Sequence, residues 1–295
     1  MWCIVGTLPQ EDMPLCPQGV RAQSSLQNGM LCLPDGHKVP VERGTAALAA
    51  TALTVCSALG LEPPRLLLVG DPGNGAGSRA IYAWLEEHLA EMAPAGLVFH
   101  YLFPDTDGHN RVLLTARALP RPPLMVADAG FMYAAKMSGY ADAYDLFTPD
   151  MGELAFLADE QAPHPFYTRG FLLAEEDDAP ALLARAQAHG NCPANLLIKG
   201  ARDLIVCGGR VAHTVSRPCV PAMECIGGTG DMVTGLVTAF LVKGFSVEQA
   251  CLTAARLARL LAKAHDPDPG TTVGQLLESL PQVLRDCGKD LACLG

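Results

Sequence analysis

Apolar residues in this chain fall into short continuous runs separated by longer stretches with helical spacing. Leu66-Leu67-Leu68-Val69, Leu97-Val98-Phe99, Leu124-Met125-Val126-Ala127, Asp145-Leu146-Phe147-Thr148 and Leu196-Leu197-Ile198-Lys199 read as buried strands. Runs that are continuous, not alternating, mark strands covered on both faces. Around them the pattern predicts helices. One starts at Glu42 and runs through an alanine-rich stretch to Gly60; others cover about 78–89, 151–157, 179–188, 231–243, 247–264 and 273–286. Leu204-Ile205-Val206 and Val211-Ala212-His213-Thr214 read as a hairpin turned at Gly208-Gly209. Alternation of this kind predicts an α/β fold, a mostly parallel central sheet with helices on both faces. Residues 1–40 show no clear period and are expected to be an irregular arm or short sheet on a single α/β domain at 41–295.

Composition narrows the picture. With 49% hydrophobic and 18% charged residues, the chain has ample material for a core. A formal net charge of −10 argues against nucleic-acid and anionic-membrane partners, which select for Lys and Arg stripes. It does not argue against a nucleotide held by backbone amides. The 11 cysteines include no C-x-x-C pair and are expected to be reduced thiols in a cytoplasmic protein. The first residues lack a basic n-region, and no apolar stretch reaches the roughly 18–20 residues a bilayer needs. The eight histidines show no metal spacing, and no G-x-S-x-G elbow appears.

The richest chemistry lies in Gly227-Gly228-Thr229-Gly230-Asp231, which feeds an apolar helix. A glycine loop at a helix N-terminus offers free N–H groups and partial positive charge to an anion. Asp231, in the first turn, would sit where it can take a proton from a hydroxyl about to be phosphorylated. On local grounds it is equally an ordinary first-turn acid. A second loop, Gly70 to Gly77, lacks the lysine of a Walker A motif and matches a dinucleotide fingerprint only approximately. Its length favours backbone approach to a ligand over a packing turn. Thr148-Pro149-Asp150-Met151-Gly152-Glu153 reads either as a capping box or as two carboxylates holding the waters of a Mg²⁺ ion. Lys199 and Arg202, at the end of another strand, are candidate phosphate cations or surface charges in a turn. Asp128 directly follows a buried strand, and in open α/β sheets ligands bind beyond such carboxyl ends.

The order of these elements resembles the ribokinase-like superfamily, and most closely its ADP/ATP-dependent NAD(P)H-hydrate dehydratase branch. Gly75-Ala76, Asp128-Ala129, the T-P-x-x-G-E element at 148–153, Ile198-Lys199-Gly200 and G-G-T-G-D at 227–231 follow in the same order over about residues 65–264. The resemblance implies a ribokinase-like three-layer α/β/α fold and ATP or ADP with Mg²⁺. It also implies a small-molecule acceptor. Gly228, Thr229 and Gly230 would form the anion hole and Asp231 would be the general base. Lys199, Gly200, Ala201, Arg202, Asp203 and Gly230 would bind nucleotide. Gly75, Ala76, Asp128 and Asp150 would bind substrate, and Glu153 would hold Mg²⁺ through water. Asp150 stands where these dehydratases usually carry a histidine, which brings the element closer to the N-x-x-E of sugar kinases. A small-molecule kinase and a non-catalytic nucleotide-binding relative therefore stay open, as does a homo-oligomer.

Overall fold

The structure, a computed structural model, describes residues 1–15, 24–162 and 178–292. In chain order the strands are β1 (Trp2–Leu8), β2 (Ser25–Gln27), β3 (Met30–Cys32), β4 (Lys38–Pro40), β5 (Arg65–Gly70), β6 (Gly96–His100), β7 (Leu124–Asp128), β8 (Leu146–Phe147), β9 (Leu196–Ile198), β10 (Asp203–Cys207) and β11 (Arg210–Val215). The helices are α1 (Gly44–Ala58), α2 (Ala76–Met92), α3 (Thr106–Arg117), α4 (Gly130–Met137), α5 (Met151–Ala158), α6 (Ala179–Ala188), α7 (Thr229–Val242), α8 (Val247–His265) and α9 (Val273–Ala292). The chain divides into two compact units. One takes residues 3–19 and 67–214, the other 20–66 and 215–295, with Met1 joining the first and Trp2 the second.

The first unit is built on a sheet of order β11-β10-β9-β8-β7-β6-β1-β5. Neighbours β6, β7, β8 and β9 run parallel, and β10 pairs antiparallel with β9. The expected hairpin is β10 and β11, neighbours in the sheet joined across Gly208 and Gly209. The apolar runs behave as their continuity requires: Leu66 to Leu68, Leu97, Val98, Val126, Ala127, Leu146, Phe147, Leu196 and Leu197 are all fully buried. Strand β1 corrects the expectation for the N-terminus. Residues 2–8, assigned by sequence to an irregular arm, lie inside the sheet between β6 and β5, with Cys3, Ile4 and Val5 fully buried. Residues 16–23 of that arm lie outside the described residues. Helices α3 and α4 were not anticipated. α3 starts where the Asp105 side chain accepts from the Gly108 amide, and buries Val112, Leu113 and Ala116 on one face.

The second unit holds α1, α7, α8 and α9 and the small antiparallel sheet β2-β3-β4. Its helices pack α1 on α7, α7 on α8, and α9 on both α8 and α1. α1 is rich in alanine and buried along nearly its whole length. Gly235 explains how close α7 comes to it: a β-carbon there would stand 2.5 Å from the carbonyl oxygen of Leu48. Among the described residues no helix is long and apolar enough to cross a membrane.

Candidate functional site

In the second unit, the loop of Gly227 and Gly228 opens directly into α7. Gly228 is the N-cap, in the left-handed region at φ 87°, and no side chain caps the helix. A side chain at 228 is excluded twice, because a β-carbon would also lie 2.5 Å from the Glu42 carbonyl oxygen and 2.6 Å from Arg43 Cα. The first-turn amides lie ahead of any intrahelical acceptor, the arrangement in which helix starts can receive an anion. Thr229 contributes its amide alone, since its hydroxyl turns back to the carbonyls of Met223 and Ile226, each at 3.3 Å. Asp231 is half-buried in the first turn. Its Oδ2 accepts a 2.6 Å hydrogen bond from the amide of Gly44, the first residue of α1. That bond fixes the orientation of the carboxylate; Gly44 and Arg43 are parts of the site that no sequence motif marked.

In the first unit, the polar residues after the strands collect at their carboxyl ends. Asp128 ends β7, 1% exposed, in register with His100 at the end of β6. His100 Nε2 lies 3.8 Å from Asp128 Oδ2, and the histidine is fully buried. The end-of-strand rule that selected Asp128 applies equally to His100, which the sequence reading passed over. Lys199 donates from Nζ to both oxygens of Asp128, at 2.9 and 3.2 Å. Its charge, expected on a nucleotide, is thus paired with a buried carboxylate. An isolated β-bridge joins Lys199 to Asp150, which brings these three predicted residues together. Gly200, Ala201 and Arg202 form the exposed turn that follows, closed by the Asp203 side chain accepting from the Gly200 amide at 3.2 Å.

Asp150 and Glu153 form a complete capping box on α5. Asp150 accepts from the Glu153 amide at 2.7 Å, and Glu153 accepts from the Asp150 amide at 2.8 Å. Tyr133 also donates to Glu153, at 3.3 Å. The local capping role is therefore real. It does not exhaust the pair: burial, with the charge of Asp150 beside it, pushes the Glu153 carboxyl up to about 8. Two oxygen-only acids crowded so that one resists ionisation are a donor set suited to a hard cation such as Mg²⁺, which would relieve that crowding.

The other glycine loop is organised from within. Asp71 accepts from the amides of Gly73, Gly75 and Ser78 and from the Ser78 hydroxyl, all between 2.8 and 3.0 Å. Burial alone would raise the Asp71 carboxyl, but those hydrogen bonds outweigh it and hold it below the ordinary carboxylate value. Asn74 takes the Ala76 amide at 2.9 Å. Gly70 and Gly77 are required by packing: β-carbons there would lie 2.1 Å from the Gln10 carbonyl and 2.3 Å from that of Gly70. Gly75 and Ala76, expected to bind substrate through an open backbone, thus have their amides engaged inside the loop.

A mostly parallel sheet with polar strand ends and a glycine loop feeding a helix that carries an aspartate in its first turn defines a ribokinase-like α/β protein. The solved ADP/ATP-dependent NAD(P)H-hydrate dehydratase of Bacillus subtilis has the same fold, with a TM-score of 0.54 over 97% of this chain and 90% of that one, at 16% identity. Within that class, the chain belongs to the family of the uncharacterized protein MJ1337 of Methanocaldococcus jannaschii, to which it is 33% identical over 222 residues, 75% of this chain and 91% of that protein. It is also 33% identical over 171 residues to the bifunctional NAD(P)H-hydrate repair enzyme Nnr of Pyrobaculum aerophilum, covering 57% of this chain but only 31% of that enzyme. No family model matches the chain.

Proposed function

We propose that the protein transfers a phosphoryl group from ATP or ADP to a substrate hydroxyl, and that its reaction is the repair of hydrated nicotinamide cofactor, as in the NAD(P)H-hydrate dehydratases. The observation that carries this reading is Asp231 in the first turn of α7, oriented by the Gly44 amide and following an uncapped glycine loop. The kinship with the repair enzyme of Pyrobaculum aerophilum supports the choice of substrate. In the transfer, the substrate oxygen bonds to the terminal phosphorus while its proton passes to Asp231. The bond from that phosphorus to the bridging oxygen breaks, and its electron pair leaves with the nucleotide. The amides of Gly228, Thr229 and Gly230 face the charge that develops on the phosphoryl oxygens. Loss of phosphate and a proton from the phosphorylated hydrate then restores the ring double bond. The turn of Lys199 to Asp203 is the nucleotide element in this reading, and Asp128 and Asp150 are acceptor contacts. Asp150 and Glu153 would hold Mg²⁺ through water, and the ion would supply neutralising charge to the phosphates.

One observation favours a second reading, a small-molecule kinase: Asp150 replaces the histidine usual in the dehydratases. Here the phosphoester would be the product. The test is recovery of reduced-nicotinamide absorbance from NADH hydrate with Mg²⁺ and either ATP or ADP, in wild type and Asp231→Asn. Nucleotide-dependent recovery that falls by about 10³-fold in the variant, with nucleotide binding retained, is expected. Normal turnover by Asp231→Asn removes the base assignment. Absence of recovery in the wild type, with phosphoester formed on another hydroxyl compound, selects the kinase.

A further inference from the structure

Phosphoryl transfer spreads negative charge over three oxygens and needs a cation beside them. Lys199, the obvious candidate, spends its charge on buried Asp128. We propose that Arg43 binds the transferred phosphoryl group at the 227–230 loop. This rests on the phosphoryl-transfer reading above and adds to it the residue that recognises the moving group.

Arg43 is the N-cap of α1, in extended backbone, and its side chain makes no cap. It is exposed, and no hydrogen bond or ion pair with any described residue engages it. Its stem follows the glycine loop. A β-carbon at Gly228 would lie 2.9 Å from Arg43 Cβ, and one at Gly227 would lie 3.7 Å from Arg43 Cδ. The next residue, Gly44, is the one whose amide holds Asp231. A single dipeptide therefore touches both the candidate base and the candidate anion loop.

Packing accounts for Gly228 opposite Arg43 but not for the charge of Arg43. An N-cap favours Ser, Thr, Asp or Asn, whose oxygens satisfy the first-turn amides. A cation at a helix N-terminus opposes the helix dipole, typically by about 0.3–1 kcal/mol. Here it does so twice, since the stem lies between the starts of α1 and α7. Such an arrangement is unfavourable in the free protein and becomes favourable when an anion occupies the loop. A guanidinium also matches the paired oxygens of a phosphoryl group, which an ammonium does not.

The experiment measures Arg43→Gln and Arg43→Lys beside Asp231→Asn. Turnover is read with NADH hydrate, Mg²⁺ and ATP or ADP. In parallel, ADP or AMP is titrated with Mg²⁺, with and without aluminium fluoride, which mimics the planar phosphoryl group. Arg43→Gln should lower turnover by at least about 10²-fold. It should also abolish the gain in affinity that fluoride confers, while affinity for the nucleotide alone stays within threefold. Lysine should restore part of both, and free guanidinium ion should partly rescue Arg43→Ala. An Arg43→Gln protein with wild-type turnover and wild-type fluoride tightening, alongside an inactive Asp231→Asn, overturns the role of Arg43 alone. Normal turnover by Asp231→Asn overturns the underlying reading instead. If the wild type does not act on NADH hydrate, the fluoride titration decides: equal tightening in wild type and Arg43→Gln refutes the proposal.

Discussion

Two glycine loops in this protein lead into helices, each with an aspartate at hand, and they are built to opposite ends. At 70–77 the aspartate turns inward. Asp71 collects the amides of Gly73, Gly75 and Ser78, and Asn74 takes that of Ala76, so side chains of the loop itself hold two amides in the first turn of α2. At 227–231 the aspartate turns outward to the Gly44 amide, and the first turn of α7 is left without a side-chain cap. The first loop has filled its own anion cradle with a carboxylate. The second has no side chain of its own in that position. Glycine content does not separate them; the destination of one carboxylate does.

The contrast is sharpest if the two aspartates are exchanged for asparagine. Asp231→Asn should cost about 10³-fold in turnover with little change in the denaturation midpoint. Asp71→Asn should do the reverse. Replacing a carboxylate that accepts four hydrogen bonds places amide hydrogens against N–H donors, at an expected cost of about 3 kcal/mol in urea unfolding. Turnover of the fraction that remains folded should hold. If Asp71→Asn is instead stable and inactive, the first loop belongs to the chemistry.

Glycine-to-alanine changes probe the same difference more gently. Gly73 and Gly228 both have positive φ, but a β-carbon at 73 meets nothing within 4 Å, whereas one at 228 strikes the start of α1. Gly73→Ala should show backbone strain alone, about 1 kcal/mol. Gly228→Ala should cost about 2 kcal/mol more from overlap with Glu42 and Arg43. Equal unfolding midpoints would mean the second loop yields easily and is not held as described.

The smallest effect concerns Glu153, a carboxylate whose environment resists its charge. Its carboxyl rises from an ordinary 4.5 to about 8, so between those values the folded protein keeps a proton that the unfolded chain has released. Stability must therefore fall as pH rises through that window. Glu153→Gln retains the capping acceptor for the Asp150 amide and removes the titration. The variant should flatten the fall, by about 1 kcal/mol given that Glu153 is partly exposed. Unfolding in urea at pH 5 and pH 8.5 measures it. A wild-type stability that does not decline across this range contradicts the raised carboxyl.

Legibility in the sequence followed locality. Continuous apolar runs announced β5, β6, β7 and β9, because burial on both faces leaves an unbroken signature. The capping box at 150–153 was readable since both partners lie within one turn. Strand β1 was missed: its place depends on pairing with β5 and β6, more than 50 residues away, and nothing in Trp2–Leu8 encodes that partnership. α3 was missed for another reason. Its polar start, Thr106-Asp107-Gly108-His109, masks the later periodicity of Val112, Leu113 and Ala116.

By itself, then, the sequence determined the α/β character of the chain, most of its helices and the short list of polar residues at strand ends and helix starts, because each is set by neighbours within a few residues. Tertiary structure decided what those residues are available for. It paired Lys199 with the buried carboxylate of Asp128, 71 positions away. It joined Asp231 to Gly44 across 187 positions, turned Asp71 into its own loop, and laid Arg43 along Gly227 and Gly228. Hydrogen bonds and charges act over a few ångströms in space, whatever their separation in the chain, so the same residue type becomes a structural anchor or a reactive group only once the fold has chosen its neighbours.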